Sequence, residues 1–233
     1  ITVSAEIAAG GSNTLTLVAD TSVVLNAPIT RTSTGDVTIT ATSGGLSGSG
    51  NLDLSGGDVT VTQGGSSTYR GAISGAGTTF TKLGAGTLTV SGLSTNTGAT
   101  TITAGSLKLG GKDKWSDDTA VAIASGATFD LASFNETVGS ISGLGNVSLG
   151  TGSFTVGGDN TSTTYSGVIS GTGRLTKTGN GVMTLSGDNA YTGVTTVSAG
   201  TLRLGAADRL SNSTALVVDS SATFDLNDFD ETV

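Results

Sequence analysis

One long stretch of this chain is written twice. The run GAISGAGTTFTKLGAGTLTVSG, Gly71 to Gly92, returns as GVISGTGRLTKTGNGVMTLSG, Gly167 to Gly187. TGATTITAGSLKLG, Thr97 to Gly110, returns as TGVTTVSAGTLRLG, Thr192 to Gly205, and GATFDLASFNETV, Gly126 to Val138, returns as SATFDLNDFDETV, Ser221 to Val233. Tyr69 maps to Tyr165, an offset of 165 − 69 = 96, and Phe129 to Phe224, an offset of 224 − 129 = 95. The extra residue is a Thr that the first copy carries before Lys82. Self-similarity at a nearly fixed period is the mark of stacked units, each covering its neighbour in the same way.

The copies extend backward. GSGNLDLSGGDVTVTQGGSSTYRG from Gly48 parallels GLGNVSLGTGSFTVGGDNTSTTYSG from Gly143. Copy one therefore spans residues 48–142 and copy two residues 143–233, where the pattern stops part-way. Residues 1–47 share the texture but not the words and read as more divergent coils. The expectation is a single structure, 1–233, cut from a longer repetitive protein, with targeting information outside it.

Within the copies, strand signals are short and frequent. VTITAT (37–42), VTVTQ (59–63) and TLTVSG (87–92) alternate apolar with small polar residues, a period of two that buries one face and wets the other. Val and Thr suit such a pleated surface. Gly-Gly, Ser-Gly and Asn-Thr-Gly punctuate the strands as tight turns. No segment of useful length has helical periodicity. Many β-branched residues with only 12% charge and a single Pro argue against disorder.

Two architectures fit. One is a parallel β-helix of about ten coils. The other is a pair of immunoglobulin-like sandwiches of about 95 residues. The sandwich is disfavoured by the short strands, by the lack of a Pro-rich linker, and by Trp115, which aligns with Leu210 and so is no shared core tryptophan. In the stacked reading, equivalent side chains lie above one another, so that Leu88, Leu107 and Leu109 would share ladders with Leu202 and Leu204.

Composition removes whole classes of function. The chain has no Cys and no His, which excludes disulfides, the common zinc sites and a Ser-His-Asp triad. Its formal charge is −8 with only 10 scattered Lys and Arg, which speaks against nucleic acid. No cofactor motif is present.

The run GTGRLTKTGNGVMTLSGDNAYTGVTTVSAGTLRLG, Gly171 to Gly205, resembles the autotransporter-associated β-strand repeat found in passenger regions of Gram-negative type V secreted proteins. The following ATFDLNDFDETV is similar to the connecting segment of that family. The resemblance covers about residues 71–233. Copy one departs from it at Ser94-Thr95-Asn96, which lack the Tyr of copy two. Residues 1–47 look more like the repeats of haemagglutinin-type adhesins. The resemblance implies an all-β, right-handed parallel β-helix exported through an outer-membrane β-barrel. It further implies a cell-surface or secreted location and a role in adhesion, aggregation or stalk-building, with a host-cell, matrix or glycan surface, or another cell, as partner, and it carries an association with virulence.

Candidate chemical residues each have a plain structural alternative. Asp117 and Asp118 would be the acids of a polysaccharide lyase or glycoside hydrolase, but their counterparts are Asn212 and Ser213, and a solvated loop fits better. Asp225, Asp228, Asp230 and Glu231 form an oxygen-rich run of the kind that holds calcium, without any recognised loop spacing. Lys82 and Lys177 recur in T-K-x-G-x-G, which reads as a turn-stabilising or solvated lysine, since a phosphate loop needs a strand–loop–helix setting. Tyr69 and Tyr165 read as packing residues. Trp115, in a charged loop, is the best single contact candidate, with apolar cover as its alternative. The expectation is a non-enzymatic structural or adhesive segment with no catalytic, cofactor or metal residues; the alternative is a carbohydrate-active β-helix.

Overall fold

A computed structural model describes all residues 1–233. The chain forms two compact units, Ile1–Ser116 and Asp117–Val233. Both consist of short parallel strands joined by turns, without helix. The boundary falls within copy one and not between the copies.

In the first unit one sheet runs Leu15–Ala19, Val37–Ala41, Asp58–Gln63, Thr79–Leu83, Thr100–Ile102. A second runs Thr2–Val3, Val23–Leu25, Leu46–Gly48, Ser67–Tyr69, Thr87–Val90, Ser106–Leu109, and a third Ile7–Ala9, Ile29–Arg31, Leu52–Leu54, Ile73–Ser74. Neighbours in each sheet are one turn apart in sequence. The second unit repeats the plan. Its longest sheet holds Ala120–Ile123, Ser140–Gly143, Thr163–Tyr165, Val182–Leu185, Gly200–Leu204 and Ala222–Asp225. Glu136–Val138, Ser153–Val156, Arg174–Lys177, Thr195–Val197 and Leu216–Val218 form the next sheet, and Thr128–Asp130, Asn146–Gly150 and Ile169–Gly171 the last. Each unit is a right-handed parallel β-helix, as expected. The five and six strands of the corresponding sheets give 5 + 6 = 11 turns, against about ten expected.

One turn takes between 147 − 129 = 18 residues (Phe129 to Val147) and 46 − 23 = 23 residues (Val23 to Leu46). The long repeat of 95 residues therefore spans several turns, and the ladders are built from successive turns instead of from the two copies. Leu88 stands in register with Ser67 and Leu107, while Leu202 stands in register with Met183 and Phe224. The expectation that Leu88, Leu107 and Leu109 share ladders with Leu202 and Leu204 is corrected accordingly.

Alternation decides what lies inside. In the first unit Leu17, Ile39 and Val61 form an inward ladder and Val37, Val59 and Phe80 another, all but Leu17 fully buried. Between them the outward positions stack Thr16, Thr38, Thr60, Thr81 and Thr101. Most inward positions are aliphatic, and Phe80, Phe129 and Phe154 occupy others. Burial of these rows supplies most of the stabilisation, since removing apolar surface from water is the dominant favourable contribution to folding. Gln63 closes one corner with its amide fully used. Its Nε2 donates to Gly65 O at 3.0 Å and Thr87 O at 2.8 Å, and its Oε1 accepts from the Leu46 amide and Ser67 hydroxyl.

Candidate functional site

The polar chemistry of the repeat is concentrated inside the coils. In T-F-T-K, Phe80 points inward, Thr81 outward and Lys82 inward again, between Val61 and Ile102 of the adjacent turns. In R-L-T-K the same parity carries Lys177 inward, between Val156 and Val197. Both side chains are sealed, at 0% and 1% exposure. Each ammonium lies in a cage of three backbone carbonyls. Lys82 Nζ donates to Leu83 O at 2.9 Å, Gly84 O at 2.8 Å and Ala104 O at 3.3 Å. Lys177 Nζ donates to Thr178 O at 2.6 Å, Gly179 O at 2.9 Å and Ala199 O at 3.3 Å.

Three donors therefore meet three acceptors, two from the lysine's own turn and one from the next. The cage ties consecutive coils together at a corner where the carbonyls would otherwise be buried unpaired. Burial lowers the Lys82 ammonium to about 8 and shifts Lys177 in the same direction, with the Asp159 carboxylate opposing the shift at Lys177. The turn-stabilising reading of these lysines holds and the solvated one does not. Strand parity, carried two residues past Phe80 or Leu175, is the sequence signal that reveals it.

Tyr69 and Tyr165 are likewise packing residues, both fully buried. Each hydroxyl donates to a carbonyl of the preceding turn at 2.5 Å, Gly50 O and Gly145 O respectively. Burial pushes both phenols well above their ordinary value.

Trp115 is not a surface contact residue. It is 1% exposed, meets Phe80 edge to face with ring centroids 5.0 Å apart, and donates its indole Nε1–H to Thr100 Oγ1 at 2.9 Å. Its charged neighbours Lys112 and Asp113 are exposed while the indole turns inward, so the loop's composition misstates the direction of its one aromatic. In copy two, Leu210 stands at the Trp115 position, and the polar-tipped aromatic is Tyr191, whose hydroxyl lies 2.5 Å from Thr195 Oγ1.

The acids do not converge. Asp117 and Asp118 are both exposed in the loop before Ala120–Ile123. In the C-terminal run, Asp225 Oδ2 receives Arg203 Nε at 2.7 Å and its Oδ1 receives the Asn227 amide at 2.9 Å. Those two bonds hold its carboxyl below the usual carboxylate range. Glu231 Oε2 receives the Arg209 amide at 2.8 Å and the Leu210 amide at 3.2 Å. Two of the four acids thus serve as hydrogen-bond acceptors for the fold, and no group of three or more carboxylates is gathered that could hold a metal ion.

The passenger-associated-transport-repeat family matches the chain twice, at residues 80–109 and 175–204. Each match starts two residues before a caged lysine and ends in the Leu109 or Leu204 strand. Searches of curated proteins and of solved structures give no match.

Proposed function

We infer that this chain, a β-helical autotransporter passenger region built on two passenger-associated-transport repeats, works without catalysis as a rigid stalk and adhesive surface. The repeat family indicates a secreted or cell-surface protein. We take its setting to be a Gram-negative cell surface, reached by type V export through an outer-membrane barrel.

The observation that carries this reading is where the recurrent chemistry lies. Among the features that repeat with the period, the lysine cages, tyrosine–glycine bonds and aliphatic ladders lie inside. They tie one turn to the next, and they leave Thr-rich outward rows for contact with a glycan, matrix or cell surface. Asp117 and Asp118, the acids weighed for catalysis, do not recur, since copy two has Asn212 and Ser213 in their places.

Cells bearing the full-length parent protein, with and without residues 1–233, give the test. Surface protease sensitivity and adhesion to glycan- or matrix-coated plates are both read. Deletion is expected to lower adhesion. Replacement by an unrelated β-helix of equal length separates the roles: restored adhesion means stalk alone, and continued loss means direct contact. A segment that stays protease-protected in intact cells, or adhesion unchanged by the deletion, would overturn the reading.

A further inference from the structure

The second unit carries a polar surface cavity of about 260 Å³, lined by Ser162, Thr163, Thr164, Val182, Thr184 and Arg203. The parallel register places Thr164, Thr184, Arg203 and Asp225 side by side on one outward row. Strands in such a sheet are about 4.8 Å apart, so hydroxyl, hydroxyl, guanidinium and carboxylate succeed one another at that interval. The Asp225 carboxylate grips Arg203 through Nε at 2.7 Å, which leaves the two Nη amino groups to the cavity. The Thr164 and Thr184 hydroxyls have no partner within the protein.

The same row exists in copy one. Thr68, Thr89 and Lys108 stand in register on one outward row, at the positions that correspond to Thr164, Thr184 and Arg203. Two threonines followed by a base thus recur on the outside of a chain whose formal charge is −8. Outward side chains add little to the core, so packing alone does not select two threonines and a base at these positions.

We propose that this cavity binds the carboxylate of an acidic saccharide, with the Arg203 amino groups on the carboxylate and the Thr164 and Thr184 hydroxyls on neighbouring ring hydroxyls. A guanidinium held by one edge presents a planar fork that fits a carboxylate in two-point fashion. None of the six lining residues is aromatic, so a neutral sugar finds no ring to stack on and recognition rests on charge and hydrogen bonds. A single shallow site of this kind is weak, with a dissociation constant on the order of millimolar. Repetition along a displayed polymer raises the effective affinity without new contacts. The proposal rests on the adhesive reading above and gives it a ligand class.

The test is a nuclear magnetic resonance titration of the whole chain with trigalacturonate, its methyl ester and maltotriose. Trigalacturonate is expected to shift the amides of Thr164, Thr184 and Arg203, and the ester and maltotriose to leave them in place. Arg203→Gln is expected to weaken binding roughly tenfold, the scale of one lost charge-assisted hydrogen bond. Thr184→Val, which keeps shape and charge, is expected to weaken it by about threefold. Equal binding of the ester, shifts confined to other residues, or Arg203→Gln binding as the parent does would each overturn the site. Those results leave the stalk reading standing, because that reading is decided by deletion on cells.

Discussion

Trp115 reaches Thr100 through its indole N–H at 2.9 Å, and in copy two Tyr191 reaches Thr195, the residue 195 − 100 = 95 positions on. The two threonines are equivalent in the repeat; the two aromatics are not, since Tyr191 aligns with Asn96 and Trp115 with Leu210. The same kind of core gap is filled from different points on the chain, with a polar tip bonded to the same hydroxyl position. Trp115→Leu is therefore expected to cost about 3 kcal/mol, the scale of a large buried side chain cut back. Adding Asn96→Tyr should recover a substantial part of that loss. Chemical denaturation of the four members of the cycle measures the coupling. Simple additivity of the two changes would mean that the aromatics do not substitute for one another.

Ser94 and Asn189 occupy equivalent positions with unequal success. Asn189 accepts the Ile169 amide at 2.9 Å and donates to Gly187 O at 3.1 Å and Arg209 O at 2.9 Å. The buried Ser94 hydroxyl has no partner. Ser94→Asn is expected to import those bonds into copy one and to stabilise it by about 1 kcal/mol. Slower amide exchange at Ile73, the counterpart of Ile169, is the local readout, and unchanged exchange there would count against the transfer.

Two effects oppose each other at Lys82. Burial disfavours the charged form, while three carbonyl acceptors favour an ammonium with three donors. With the folded value lowered to about 8 from an unfolded 10.5, the native state holds fewer protons than the unfolded chain between those limits. Stability linked to this group must then rise as pH climbs from about 8 to 10.5 and be flat below and above that window. The Nζ resonance of Lys82 should titrate near 8, and Lys177 below the exposed lysines. A Lys82 midpoint at or above 10.5 would show that the cage outweighs burial. Lys82→Met tests the cage directly: it leaves buried carbonyls unpaired and is expected to cost about 3 kcal/mol.

Period-two alternation and the long repeat carry most of the architecture. Alternation alone places Ile39, Val61 and Phe80 inside and Thr38, Thr60 and Thr81 outside, because a parallel strand has no third choice. It also places Lys82 and Lys177 inside, a conclusion that residue type resists, since a buried ammonium is acceptable only where a cage of carbonyls exists, and the cage is completed by Ala104 O or Ala199 O of the following turn. Trp115 is hidden from sequence for a related reason: no strand periodicity runs through its loop, and its partner Thr100 is 15 residues away. The Arg203 row is invisible in sequence because Thr164, Thr184 and Asp225 come together only through inter-turn register, which varies from 18 to 23 residues.

That register depends on close backbone approach at the corners, and Gly48 is one clear case. Its φ is +102°, and a Cβ built there would lie 2.0 Å from Leu25 O, a backbone atom of the turn before. Neither the conformation nor the space suits an L side chain. Gly126 provides the control: its φ is +80°, but nothing lies within 4 Å of the added carbon. Gly126→Ala should cost only the left-handed backbone penalty, about 1 kcal/mol. Gly48→Ala must in addition push two turns apart, breaking the Gly50 amide bond to Leu25 O at 2.7 Å, and is expected to cost about 3 kcal/mol or more. Hydrogen exchange distinguishes the two. The first change should leave amide protection across its unit intact, and the second should release the Leu25 and Gly48 strands together. Equal costs for the two substitutions would mean that inter-turn contact at this corner contributes nothing beyond backbone strain.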